Sequence, residues 1–117
     1  MSIPLVDLNS QYQNIKSEID LAIQNVINES AFVRGKYVES FEEDYKTLMG
    51  VKHCISCGNG TDALYISLKA LDIGPGDEVI TSSLSWIASS EVISQCGARV
   101  VFADIEADFF TIDPEDI

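Results

Sequence analysis

Cys54 to Leu71, CISCGNGTDALYISLKAL, sets a short apolar run, a glycine-flanked turn and a helix-spaced apolar pattern in direct succession. Such a turn exposes the backbone N–H groups of a helix N-terminus, where an anion can meet them. Three anion-binding chemistries differ in what else they require. A nucleoside triphosphate loop needs G-x-x-x-x-G-K-[ST], which this sequence lacks. A dinucleotide fingerprint is satisfied in spacing by Gly58-x-Gly60-x-x-Ala63, but its ribose needs an acid at the end of the next strand. That strand ends in Ser82 and Ser83, whereas Asp77 and Glu78 precede it. A single phosphate asks less: Gly58 and Gly60 allow close backbone approach, Thr61 adds a hydroxyl, and the helix dipole favours a dianion. Asp62 is expected to offer its N–H while its side chain turns away, because a carboxylate facing the phosphate would repel it. The competing reading is a glycine turn that only caps a helix, and on these residues it stays open.

A second feature bears on that choice. Trp86 directly follows the second expected strand, at the start of the next helix and on the same sheet edge as the glycine turn. It can anchor a core, and it can equally stack on a planar ring beside a phosphate. Phosphate plus planar ring describes pyridoxal phosphate or a flavin mononucleotide. Cys54-Ile-Ser-Cys57 has the C-x-x-C spacing of redox and zinc sites, but the further ligands would have to be Cys96 and His53. His53, as the neighbour of Cys54, would point to the opposite strand face, so the cysteines read as small apolar fillers of a buried strand. Their odd number, three, suits a reducing compartment.

These groups need elements to hold them. Ile15, Ile19, Ile23, Val26 and Ile27 mark one face of a helix ending near Ser30, and Val38, Phe41, Tyr45 and Leu48 mark a second that stops at Gly50. Both faces read as core packing. From residue 51 the rhythm changes: HCISC reads as a strand, Thr61 to Leu71 as a helix, IGPGDE as a turn, VITSS as a strand, Trp86 to Gln95 as a helix and RVVFADI as a strand. Strand, helix, strand, helix, strand is a parallel α/β pattern, whose ligands bind at the carboxyl ends of the strands. The organisation is therefore a helical segment over 1–50 and the start of an α/β domain over 51–117. In TIDPEDI, Asp113 reads as an N-cap and Pro114 as a first helical residue, so the chain is expected to be cut inside an element, its remainder C-terminal.

Composition narrows the partners. Nineteen acidic against seven basic residues give a net charge of −12, which would repel nucleic acid and anionic membranes. No run of eighteen apolar residues and no basic, then apolar, leader is present, so a cytoplasmic protein is expected.

The chain resembles the N-terminal part of the DegT/StrS family of nucleotide-sugar aminotransferases, enzymes of fold type I that use pyridoxal phosphate. The resemblance runs through IPLVDLNSQY, FVRGKYVESFEEDY, VKHCISCGNGTDALYISLKALDIGPGDEVIT, SWIASSEVI and GARVVFADIEADFFTIDPEDI, and the order of GNGTDAL, IGPGDEVI and an aromatic-Ile-Ala segment carries most of its specificity. It implies that 51–117 is the incomplete start of the pyridoxal phosphate-binding large domain. It implies that Gly60, Thr61 and Asp62 form part of a phosphate cup, and that Trp86 stands where Phe or Tyr usually stacks on the pyridine ring. Ser85 and Ser89 stand where Thr is common. It further implies ping-pong transfer of an amino group from an amino acid to a keto-sugar nucleotide, and a homodimer with the site at the subunit interface. The lysine that forms the Schiff base, the acid against the pyridinium nitrogen and further phosphate ligands lie downstream of Ile117 in the family. None of Lys16, Lys36, Lys46, Lys52 and Lys69 has the family's Ser-x-x-x-x-Lys context. The 117 residues alone are therefore expected to be inactive as an aminotransferase. A phosphate-binding module without turnover, and a degenerate fragment, are the alternatives.

Overall fold

The computed structural model describes residues 5–117; Ile3 and Pro4, within the first segment of the resemblance, lie outside them. The described residues form two compact units, divided between Ser56 and Cys57.

In the first unit Asp7 starts helix α1 (Leu8–Asn28), accepting hydrogen bonds from the Ser10 backbone N–H at 3.0 Å and the Ser10 hydroxyl at 2.7 Å. Those bonds hold its carboxyl below the usual aspartate range. Helix α2 (Lys36–Met49) ends on Gly50, whose φ of 65° gives the left-handed cap that glycine adopts without steric cost. Both helices lie where the apolar spacing predicts, yet neither buries a residue, and even Ile19 is 38% exposed. The expectation of core packing on these faces is thus not met. An apolar stripe is buried only by a facing layer, and the described part of this unit contains none. Glu42 of α2 ties residue 56 to this unit, accepting from both the backbone N–H and the hydroxyl of Ser56, each at 2.8 Å.

HCISC is not a strand. Residues 53–57 form no ladder, and the sheet of the described residues has two strands where three were expected. A strand exists only through pairing with a neighbour, which local apolar composition does not supply. Cys57 is correspondingly exposed and Cys54 half-buried; Cys96 is buried, but at the end of the helix Ala88–Cys96, so none of the three fills a buried strand.

The second unit is built on β1 (Glu78–Ser82) and β2 (Arg99–Ala103), parallel and in register from Glu78 opposite Arg99 to Ser82 opposite Ala103. Parallel strands need a crossover, and α4 (Ala88–Cys96) is that crossover. Helix α3 (Gly60–Ala70) packs on α4. The core is Val92, Ile93 and Ala98, with Tyr65, Leu68, Ile73, Val79 and Val100 packed around it. The chain leaves α4 through Gly97, at φ 84°, where a Cβ would meet Pro75 Cγ at 3.2 Å. At the end of the chain Asp113 caps a 3-10 turn, Pro114–Asp116, as expected for TIDPEDI.

Candidate functional site

The direction of α3 decides what can share a site. Ile73, just past the end of α3, lies in the same cluster as Val79 near the amino end of β1, and as Ala98, which leads into β2. The N-terminus of α3 therefore points toward the carboxyl ends of the strands. Trp86 also lies beyond that end, four residues after β1 closes at Ser82. The glycine turn and the tryptophan share one edge of the sheet, the edge at which parallel α/β sheets take ligands.

At the turn, Asn59 is the N-cap of α3: its Oδ1 accepts from the Asp62 N–H at 2.9 Å, and its Nδ2 donates to Asp62 Oδ2 at 3.1 Å. The Ala63 N–H donates to the Asn59 carbonyl oxygen at 3.1 Å. The N–H groups of Gly60 and Thr61 have no acceptor among the described residues. Asp62 thus differs from expectation in one respect. Its N–H, assigned to an anion, is taken by the Asn59 side chain, which leaves Gly60 and Thr61 as the free donors. The Asn59 cap was absent from the sequence reading, although Asn followed three residues later by Asp was the available signal. The Asp62 carboxylate folds back over Gly58, with Oδ2 2.7 Å from where a Cβ on that residue would sit.

At the other feature, Trp86 is 77% exposed and precedes α4 instead of lying within it. Its carbonyl oxygen accepts from the Ser89 N–H at 3.0 Å. The Ser85 and Ser89 hydroxyls are 2.9 Å apart, and Leu84 N–H donates to Ser82 Oγ at 3.2 Å. Ser82, Ser85 and Ser89 line a hollow of about 200 Å³ with Trp86 and Phe102 on its walls. Among the described residues no group of His, Cys, Asp or Glu side chains is placed to hold a metal ion.

The arrangement suits a phosphate ester carrying a flat ring. Two unshared backbone donors stand at the positive end of an eleven-residue helix, where an anion is favoured, and the exposed indole offers a flat face. Residues 13–117 match the DegT/DnrJ/EryC1/StrS aminotransferase family.

The chain belongs to that family.

It is similar to the Pleiotropic regulatory protein of Geobacillus stearothermophilus, 42% identical over all of this chain and 32% of the relative. It is also similar to the UDP-2-acetamido-2-deoxy-3-oxo-D-glucuronate aminotransferase of Pseudomonas aeruginosa, 41% identical over 97% of this chain and 32% of that enzyme. Among solved structures, DesV of S. venezuelae in complex with a ketimine intermediate superposes with a TM-score of 0.91 at 35% identity, covering 97% of this chain and 31% of DesV. The chain thus spans about a third of the length of these relatives, and its helices and small parallel sheet are those of the N-terminal part of the aminotransferase fold.

Proposed function

We propose that these residues form one wall of a pyridoxal phosphate site in an aminotransferase that moves an amino group from an amino acid to a keto-sugar nucleotide. The observation that carries the reading is the pair of unshared N–H groups on Gly60 and Thr61, opening onto the edge that also carries Trp86. Family membership supports the cofactor, and the activity for which the Pseudomonas relative is named supports the substrate class. When bound, the cofactor supplies an aldehyde that takes up the amino group and a ring that acts as an electron sink.

The roles of the chain's own residues follow from their geometry. Gly60 and Thr61 would hold the phosphate through backbone hydrogen bonds to a charged acceptor, with the Thr61 hydroxyl as a third donor. Trp86 would offer its face to the ring. Asp62 contributes through the turn it shapes. The amine that reacts with the aldehyde comes from elsewhere. Lys69, the sole lysine of residues 57–117, is nine positions past Gly60 on α3, about 14 Å along the helix axis at 1.5 Å per residue. Its ammonium lies 6.0 Å from the Tyr65 ring centroid. The 117 residues by themselves are therefore a binding half-site without turnover, and the complete enzyme is a cytoplasmic homodimer in polysaccharide or deoxyaminosugar biosynthesis.

The reading is tested in two steps. The full-length polypeptide containing these residues, given pyridoxal phosphate, an amino-acid donor and a panel of keto-sugar nucleotides, is expected to yield an amino-sugar nucleotide and an equivalent of keto acid. No amino-sugar product with any member of the panel contradicts the assignment. The 117 residues alone, reduced with borohydride in the presence of the cofactor, are expected to show no stoichiometric adduct on a single lysine and no turnover.

A further inference from the structure

We infer that Asn59 is a positioning residue of this site, which tethers the Asp62 carboxylate over Gly58 and so keeps a negative charge from competing with the phosphate for the Gly60 and Thr61 N–H groups. The inference rests on the phosphate reading proposed above and adds a role that the capping function alone does not include.

The problem to be solved is electrostatic. Asp62 occupies the third position of α3, within the first turn, where an acid is drawn to the same N–H dipoles that would hold a phosphate. A free carboxylate there would occupy those donors in the absence of ligand and repel the dianion in its presence. The Asn59 side chain resolves this with both of its ends. Its Oδ1 accepts from the Asp62 N–H at 2.9 Å, which any capping side chain could do. Its Nδ2 donates to Asp62 Oδ2 at 3.1 Å, which needs a cap side chain that donates as well as accepts. That second bond draws the carboxylate back over Gly58, its oxygen lying 2.7 Å from where a Cβ on that residue would sit, so a Cβ there would push the carboxylate out of this position. Asn59, Asp62 and Gly58 are thus one device: the amide holds the charge, and the glycine admits it. The first turn keeps the stabilising acid, and the two donors ahead of it stay open.

A double-mutant cycle separates tethering from capping. Asn59→Gly removes the amide but costs a helix start only slightly, because glycine is an acceptable N-cap. Binding of pyridoxal phosphate to the 117-residue chain is read from quenching of Trp86, its sole tryptophan, with phosphate-free pyridoxal as the control. With Asp62 present, Asn59→Gly is expected to weaken pyridoxal phosphate binding about tenfold, the released carboxylate now facing the phosphate. In the Asp62→Asn background the same substitution is expected to change binding less than twofold, because no charge remains to be held. Asp62→Asn alone is expected to bind at least as tightly as the unmodified chain, which keeps the test decisive should Asn59→Gly fail to fold. Equal losses in the two backgrounds, or a tenfold loss in Asp62→Asn alone, overturn the inference. A chain that binds pyridoxal phosphate no better than pyridoxal overturns instead the phosphate reading on which it stands.

Discussion

Replacing Gly60 by proline deletes one of the two proposed backbone donors to the phosphate while leaving the helix intact. Proline is accepted at the first position of a helix, where the missing N–H has no intrahelical partner. Gly60 is that position in α3, and the residue before it, Asn59, is already extended at φ −167° and ψ 177°, as a residue ahead of proline must be. A Cβ at Gly60 meets nothing within 4 Å. Gly60→Ala is the matching control, since it adds a Cβ and keeps the N–H. A hydrogen bond to a charged group contributes about 1.5–3 kcal/mol, so Gly60→Pro is expected to bind pyridoxal phosphate about 10- to 150-fold more weakly than Gly60→Ala. Phosphate-free pyridoxal is expected to bind the two variants alike. Titration calorimetry or Trp86 fluorescence measures both ligands, and thermal unfolding checks that each variant is folded. Equal pyridoxal phosphate affinity in the proline and alanine variants would refute the assignment of the Gly60 N–H.

Two further outcomes follow from the fold. Val92, 2% exposed at the centre of the second unit, loses two methyl groups in Val92→Ala, and a loss of about 2 kcal/mol is expected in urea unfolding, against near neutrality for an exposed substitution such as Ser94→Ala. Glu42 carries a pH signature. The Ser56 backbone N–H, then the Ser56 hydroxyl, hold its carboxyl below the ordinary glutamate value of 4.5, so the folded form keeps the proton off to lower pH than the unfolded form does. The contribution of this clasp is present above 4.5 and is lost as pH falls through the lowered value. The Ser56 amide resonance, followed by NMR, is expected to shift with an apparent pKa below 4.5, and a midpoint at or above that value contradicts the clasp.

How much of this was legible in the sequence varied with the range of the interaction that decides each element. The helices from Leu8 and from Lys36 follow from apolar spacing and end where Gly50 requires, because these signals lie within a few residues of one another. VITSS and RVVFADI pair as read, but HCISC does not, since its composition matches a strand while pairing depends on distant residues. Trp86 was placed at a helix start and lies two residues ahead of one, where Ser82 and Leu84 shape the chain leaving β1. Gly60, Thr61, Asp62 and Trp86 could be named from motif and resemblance. The pairing of Asn59 with Asp62 could not, because a side-chain bond across one turn becomes visible only when the rotamers are in place.

The central claim is that the start of α3 holds the phosphate and Trp86 the ring. It is tested most directly by a ¹⁵N-labelled NMR titration of the chain with pyridoxal phosphate and with pyridoxal. The account predicts that the largest amide shifts under pyridoxal phosphate fall on Gly60 and Thr61, together with the Trp86 indole N–H, and that pyridoxal moves the indole alone. Amide shifts centred elsewhere, or identical patterns for the two ligands, contradict it.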